Sequence, residues 1–525
     1  MEKVQLYDTT LRDGAQGEGI SFSVEDKLAI VRILDDLGIE TIEGGFAGSN
    51  LKDSTFFDRV MELPLKHSRV AAFGMTRGKG VQACNDPRVL SLLEAGTPVT
   101  TIVGKSWDLH IEFVLKATLA ENLAMIEDTV RFLKSEGREV VYDAEHFFDG
   151  YARNASYALD TLRAAAEAGA DVLVLCDTNG GTMPVDVSEI VERVVAAVPA
   201  TIGIHTHNDS DVGVANTLMA VRAGARHVQG TVNGFGERCG NANLISIIPN
   251  LQLKMGFDCL RPGGLAMLTE VSHFVDEIAN VSPRSSQAFV GRSAFAHKGG
   301  LHGDAIAKHP ETYEHIRPTW VGNETRMVVS EQSGTGTIAQ KLQSRYPELT
   351  KGSPVTRKIY DIVLQKDSEG YALEGAEASF DLIVRQATGT YRPLFKLLGY
   401  RVIIEHRPGV GMVTEATLKV SVNDEVAHTV AEGDGPVHAL DNALRLALTR
   451  FYSELAHIKL TDFKVRVIND KDGTAARVRV LINSADEHES WSTAGVSTNI
   501  IEASWEALAD SIEHGILKRM DAAAR

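Results

Sequence analysis

Cysteine is scarce in this chain. Only Cys84, Cys176, Cys239 and Cys259 occur in 525 residues, and no two form a CxxC pair, which argues against a disulfide scaffold or a structural zinc site and for a reducing compartment. Long apolar runs are missing too. No uninterrupted stretch approaches the roughly 18 residues a membrane helix needs, and residues 1–20 lack the basic start and apolar core of a signal peptide. Positive charge is in deficit, with 53 Lys and Arg against 70 Asp and Glu and a net charge of -17. That balance disfavours a nucleic-acid footprint and admits small anionic substrates only at a locally positive site. Gly234 and Gly236 in NGFGERCG form no Rossmann fingerprint and read as a loop over a site. We expect a cytoplasmic protein that binds neither membrane nor nucleic acid.

What is present is an ordinary globular composition, 44% hydrophobic, in a chain long enough for two or three domains. From Val4 to about Gly256 one theme repeats: a short apolar run, a polar or glycine-containing turn, then a stretch with helical periodicity. The strand candidates are residues 4–8, 39–45, 69–74, 100–104, 139–145, 171–180, 201–207 and 227–234, with helical patterns at 121–137, 156–170 and 214–225 among those between them. Eight such units predict a (β/α)8 TIM barrel. Chemistry in a barrel gathers at the C-terminal ends of the strands. There the sequence places Asp8, Arg12 and Asp13, then Glu43, Asp143 and Glu145, Asp177 and Thr178, His205 and His207, and Thr231 and Asn233.

The stretch LYDTTLRDGAQGEGISFSVEDK, residues 6–27, carries more polar groups than a strand-to-helix turn requires. Ser23 suffices to cap a helix over 24–37. In HTHND, His205 and His207 stand two residues apart at a strand end and so share a face. Two imidazoles and a carboxylate suit a divalent ion with open positions, and Asp13 lies on the matching rim, one strand removed across the barrel closure. A surface histidine pair and a non-haem iron centre remain the alternatives at this point.

Beyond the barrel, residues 265–330 turn from helical to glycine- and histidine-rich, residues 331–385 return to helical patterns, and from about Tyr391 strands alternate with polar turns. The predicted domains are a barrel at 1–265, a helical linker at 266–388 and an α+β C-terminal domain at 389–525. Segments 415–448 and 475–510 read as an internal βα repeat, with Leu440 answering Ile501 and Ala443 answering Ser504. Such a pair packs about a pseudo-twofold, suited either to dimerisation or to holding a small ligand.

LRDGAQ with Lys27 at its spacing, HTHND before a helix, and NGFGERCGNANL after the eighth strand resemble the DRE-TIM metallolyases. Nearly the whole length is similar to the 2-isopropylmalate, homocitrate and citramalate synthase group, since FAHKGGLHGDAIAKHPETYEHIRP resembles that group's linker and the C-terminal repeat its regulatory domain. DTTLRDGAQGEGISFSVEDK, VYDAEHFFDGY and SAFAHKGG read most like the citramalate synthases, which condense acetyl-CoA with pyruvate. The resemblance implies a Claisen-type condensation, a divalent metal ion (Mg²⁺, Mn²⁺ or Zn²⁺) and acetyl-CoA as substrate. It implies metal ligation by Asp13, His205 and His207 with Asn241 in or near the shell. Arg12 would meet negative charge on the substrate oxygen, with Thr178 and Asp143 also binding substrate. Glu145, His302 and Tyr313 would be catalytic, the last two supplied by a partner subunit, so the active unit would be at least a homodimer. The C-terminal domain would sense an end-product amino acid, isoleucine by analogy. Alternatives are the same chemistry on 2-oxoisovalerate or 2-oxoglutarate, and a catalytically silent ligand-binding protein. Where the group usually has glycine two residues after the HND aspartate, this chain has Asp211.

Overall fold

The computed structural model describes residues 2–329, 333–343, 345–468 and 476–523; Ser344 and Ala475, within two of the patterned segments above, lie outside them. The chain divides into two compact units, Met1–Phe295 with Glu314–Thr325, and Ala296–Tyr313 with Arg326–Arg525.

In the first unit eight parallel strands close into a barrel in sequence order, β1 (Gln5–Asp8), β2 (Thr41–Phe46), β3 (Arg69–Met75), β4 (Val99–Lys105), β5 (Glu139–Glu145), β6 (Val172–Asp177), β7 (Thr201–Thr206) and β8 (His227–Gly230). Closure runs through β1 and β8, with Gln5 beside His227 and Asp8 beside Gly230. These strands are rich in β-branched residues and buried on both faces, as in β6, VLVLCD, where all six positions are buried. The eighth stops earlier than its apolar pattern suggests. Asn233 takes a left-handed φ of +58° and Thr231 bridges to Asn243 instead of extending the ladder.

Helix α1 spans Val24–Leu37. Ser23 Oγ accepts from the Asp26 N–H at 3.1 Å while the Ser23 N–H donates to Asp26 Oδ2 at 2.8 Å, a reciprocal cap, and Gly38 at φ +100° ends the helix. Its inner face places Ile30, Val31 and Leu34 wholly in the core, each contributing roughly 1.5–3 kcal/mol of burial. Lys27 lies on that same face, buried, and its ammonium donates to Asp53 Oδ1 at 2.5 Å and to the Gly44 carbonyl at 2.9 Å. It therefore ties α1 to the end of β2. The helix expected at 121–137 forms over Leu119–Ser135, where Thr118 supplies the cap, and that expected at 156–170 follows a break in the run Phe147–Ala168 at Asn154 (φ -149°, ψ 76°), whose Oδ1 accepts from the Tyr157 N–H at 3.3 Å. The helix Leu268–Ile278 belongs to this unit, packing Leu268, Val271 and Val275 into the barrel's outer core.

The second unit contains α2 (Gly300–Lys308), and three further helices, Thr335–Leu342, Pro354–Ser368 and α3 (Glu377–Thr388), share a core that includes Ile338, Ile359, Val363 and Phe380. Two antiparallel three-stranded sheets follow, β9 (Lys396–Arg407) to β10 (Gly411–Val422) to β11 (Glu425–Gly433), and β12 (Lys459–Val467) to β13 (Val478–Ala485) to β14 (Ser490–Ser497). Helix α4 (Pro436–Leu448) packs on the first and α5 (Ile500–Ala523) on the second.

The two segments read from sequence as a repeat each form two strands and a helix, a third strand precedes each, and the register of the repeat is different. Thr429 Oγ1 donates to the Ala443 carbonyl at 2.8 Å, and Thr493 Oγ1 donates to the Ala507 carbonyl at 2.7 Å. Ala443 therefore answers Ala507, and Leu440 answers Ser504 rather than Ile501. Runs of alanine and serine let a sequence comparison slip by one helical turn, while a strand-to-helix hydrogen bond does not.

Among the described residues no helix is long and apolar enough to cross a membrane.

Candidate active site

The exit from β1 is built by backbone first. The Thr9 carbonyl accepts from the N–H groups of Arg12, Asp13 and Gly14 at 3.2, 2.9 and 3.0 Å, folding the chain back over the barrel mouth. Asp8, unexplained by sequence alone, accepts from Thr10 N–H and Oγ1 at 2.9 and 2.8 Å, and Thr10 Oγ1 accepts from the Val232 N–H at 2.9 Å. This stitches the turn after β1 to the end of β8. Burial pushes the Asp8 carboxyl up to about 7 against those two hydrogen bonds.

Asp13 Oδ2 lies 3.3 Å from His205 Nε2 and 3.9 Å from His207 Nε2, and the two Nε2 atoms are 3.4 Å apart. All three side chains are buried, and one ligand atom from each falls within 4.8 Å of the others. Asn241 joins them because residues 241–243 run beside the ends of β7 and β8, with His207 bridged to Asn241. Its Nδ2 stands 3.0 Å from Asp13 Oδ2 and 3.4 Å from His205 Nε2. Its buried Oδ1 has no hydrogen-bond partner among the described residues. An amide with its ends exchanged would present oxygen to the same point. One carboxylate, two imidazoles and an amide oxygen are a donor set for a divalent ion, so the residues fit the metal that the sequence implies.

Asp211 explains how the chain turns after HTHND. It sits at φ +58°, in the left-handed region where glycine is free of strain, and its N–H donates to the Asn208 carbonyl at 2.9 Å while Oδ1 accepts from Asn208 Nδ2 at 3.2 Å. Aspartate is among the few non-glycine residues that tolerate this conformation. The helix start moves only to Gly213.

Arg12 Nε donates to Glu43 Oε2 at 2.6 Å, its Nη1 lies 3.3 Å from Asp13 Oδ2, and its guanidinium carbon is 3.9 Å from the Phe73 ring centroid. Burial works against ionisation of Asp13, but Arg12 and His205 prevail and hold its carboxyl well below the usual range. Burial depresses His205, and the Asp13 carboxylate overrides it to raise the imidazole. His207 is drawn down to about 4 by burial and by His205. Burial, then Glu43, pushes Asp143 up to about 7.

A cleft of about 310 Å³ opens above these groups, lined by Arg12, Asp13, Asp143, Glu145, Thr178, His205 and His207, with Phe46, Phe73, Met75 and Val103 as an apolar wall. Glu145 ends β5 and forms an ion pair with Lys105, the last residue of β4. Thr178 accepts at Oγ1 from the His146 N–H at 2.9 Å. The two remaining candidates belong to the second unit, where the His302 and Tyr313 rings stack with centroids 4.1 Å apart and both side chains are exposed.

Residues 3–275 match the HMGL-like family, 289–362 the homocitrate synthase post-HMGL domain-like family, and 374–516 the LeuA allosteric (dimerisation) domain. The (R)-citramalate synthase of Geobacter sulfurreducens is 51% identical over 519 residues, covering 99% of this chain and 98% of that protein. That of Aquifex aeolicus is likewise 51% identical over 519 residues, covering 98% of each. The chain belongs to the citramalate synthase family. A probable 2-isopropylmalate synthase of Methanopyrus kandleri aligns as fully, over 99% of this chain, at 30% identity.

In this member of the citramalate synthase family, two groups beside the site were missed by sequence reasoning. Lys105 falls one residue beyond the apolar run that marked β4. Gln229 lies within β8, wholly buried, in hydrogen-bond contact with His205 and Asp143. Its signal was a polar residue at an inward position of HVQG. The four cysteines are free, and Cys176, buried at the end of β6, has its thiol raised well above its ordinary range by burial. That leaves it without nucleophilic character.

Proposed function

We propose that this chain is an (R)-citramalate synthase, joining the methyl carbon of acetyl-CoA to the carbonyl carbon of pyruvate and, with one water, releasing citramalate and CoA. The observation that carries this reading is the buried convergence of Asp13, His205 and His207 beneath an open cleft with Arg12 on its rim, in a chain 51% identical to (R)-citramalate synthases across nearly its full length.

Asp13, His205, His207 and Asn241 hold the divalent ion, which when bound polarises the 2-oxo acid as a Lewis acid. Arg12 supplies fixed positive charge where the substrate oxygen becomes negative, and its clamp between Glu43 and Phe73 keeps that charge in place before the reaction begins. Thr178 and Asp143 line the 2-oxo acid's side of the cleft. Glu145 takes or gives a proton at its carboxylate oxygens, with the Lys105 ammonium holding it in place. The wall of Phe46, Phe73, Met75 and Val103 gives the methyl group of pyruvate an apolar face to pack on. His302 and Tyr313 act on the acetyl-CoA side, delivered by a second subunit, in keeping with the dimerisation domain matched at 374–516. The two βββα copies hold an amino-acid effector that reports isoleucine supply.

The test is direct. Purified protein with Mn²⁺ or Mg²⁺, acetyl-CoA and pyruvate should release CoA thiol and form a product that coelutes with (R)-citramalate on a chiral column. Absence of thiol release with any 2-oxo acid would remove this reading.

A further inference from the structure

Gln229 on β8 lies beside His205 on β7 in the strand register. His205 Nδ1 is 2.8 Å from Gln229 Oε1, and Gln229 Nε2 donates to Asp143 Oδ1 at 3.0 Å. All three side chains are buried, with Gln229 fully enclosed. We propose that Gln229 is a positioning residue that Asp143 orients and that in turn fixes the tautomer of His205. This rests on the reading of Asp13, His205 and His207 as metal ligands.

The chemistry of the three groups dictates the chain of command. An ionised carboxylate accepts hydrogen bonds and donates none, so Asp143 draws the NH₂ end of the amide towards itself. The carbonyl end then faces His205 and accepts only from a protonated Nδ1. A neutral imidazole with its proton on Nδ1 carries its lone pair on Nε2, the atom aimed at Asp13 and His207. A reversed amide would present NH₂ to Nδ1 and select the other tautomer, whose Nε2 carries a proton and binds no ion. An outer partner of a ligating histidine does this work in metal sites generally. Here it is an amide held from behind by a carboxylate three strands away in the barrel.

The experiment is calorimetric titration of the metal-free full-length protein with Mn²⁺ at pH 8, where Asp143 is ionised, with circular dichroism to verify folding. Gln229→Leu removes the acceptor and should weaken Mn²⁺ binding by about 10–100-fold. The double variant Asp143→Asn with Gln229→Glu reverses donor and acceptor behind the histidine but still offers it an acceptor, and should bind within about threefold of the parent. A merely space-filling Gln229 predicts no such order, with both variants binding alike. Parent-like binding by Gln229→Leu, or binding by the double variant as weak as that of Gln229→Leu, overturns the inference. If Gln229→Leu does not fold, the double variant alone decides: within threefold supports, more than tenfold weaker overturns. His205→Ala is the control for the underlying reading, because unchanged Mn²⁺ binding there would remove the metal site itself rather than only the role of Gln229.

Discussion

Arg12 and Glu43 form a buried pair at 2.6 Å, and the second oxygen of Glu43 accepts from the Tyr7 hydroxyl at 2.8 Å. The barrel therefore grips the Arg12 guanidinium at its mouth from below, through a carboxylate that is itself held by the barrel's interior. A cation so restrained pays little reorganisation when charge develops opposite it.

Glu43→Gln keeps the shape of this support and removes its charge. We expect kcat/KM to fall by about 10²-fold, the typical cost of displacing a positioned group by an ångström, with the loss mainly in kcat. Steady-state kinetics of the variant beside the parent measure it, and an unchanged kcat would show that Arg12 does not need this partner.

Lys105→Gln removes the ammonium that pairs with Glu145. The carboxylate then loses the partner that fixes its position at the end of β5, and kcat should fall by about 10-fold or more, since a placed general acid or base contributes about 10²–10⁴-fold. Steady-state kinetics of Lys105→Gln beside Glu145→Gln measure it, and a parent-like kcat in both would take Glu145 out of the proton-transfer role.

Lys27 belongs to the motif that marks the family resemblance, yet its ammonium is spent on Asp53 and the Gly44 carbonyl. Lys27→Met should destabilise the first unit by roughly 3–5 kcal/mol, the usual cost of breaking a buried ion pair. Mn²⁺ affinity of the folded fraction should not change. Denaturant melts and calorimetry separate the two, and a weakened metal site without loss of stability would contradict the structural assignment.

Asp510 on α5 is pushed up to about 7 by burial, opposed by the Ser379 hydroxyl, which donates to it at 2.9 Å, and reinforced by Glu513 and Glu506 on the same helix. A carboxyl whose folded pKa is raised favours the fold below its unfolded pKa, near 4, and that advantage is lost as pH rises towards 7. Asp510→Asn removes the titration, so the variant's thermal midpoint should gain on the parent between pH 5 and pH 8. A constant difference across that range would contradict it.

The barrel was legible because eight apolar runs with β-branched residues alternate with helical periodicity, and because closure in sequence order needs no further information. Where the reading failed, another interaction set the boundary. Asn233 turns β8 off its pattern at a left-handed φ, and Thr118 starts a helix two residues ahead of its apolar face. The C-terminal repeat slipped by a turn because alanine and serine look alike at every helical position, while the paired bonds of Thr429 and Thr493 have no signature in composition. The convergence of Asp13 with His205 and His207 follows from strand period and barrel neighbours. Lys105 and Gln229 were hidden because their partners, Glu145 for the one and His205 with Asp143 for the other, lie on other strands and are visible only once the strands lie side by side.

The choice of 2-oxo acid is decided by one comparison. CoA release should be measured with Mn²⁺, acetyl-CoA and, in turn, pyruvate, 2-oxoisovalerate and 2-oxoglutarate, each as kcat/KM. With about 1–3 kcal/mol of discrimination per methylene, pyruvate should exceed each of the others by at least about tenfold. Equal or better turnover of 2-oxoisovalerate or 2-oxoglutarate would contradict the assignment to citramalate synthesis.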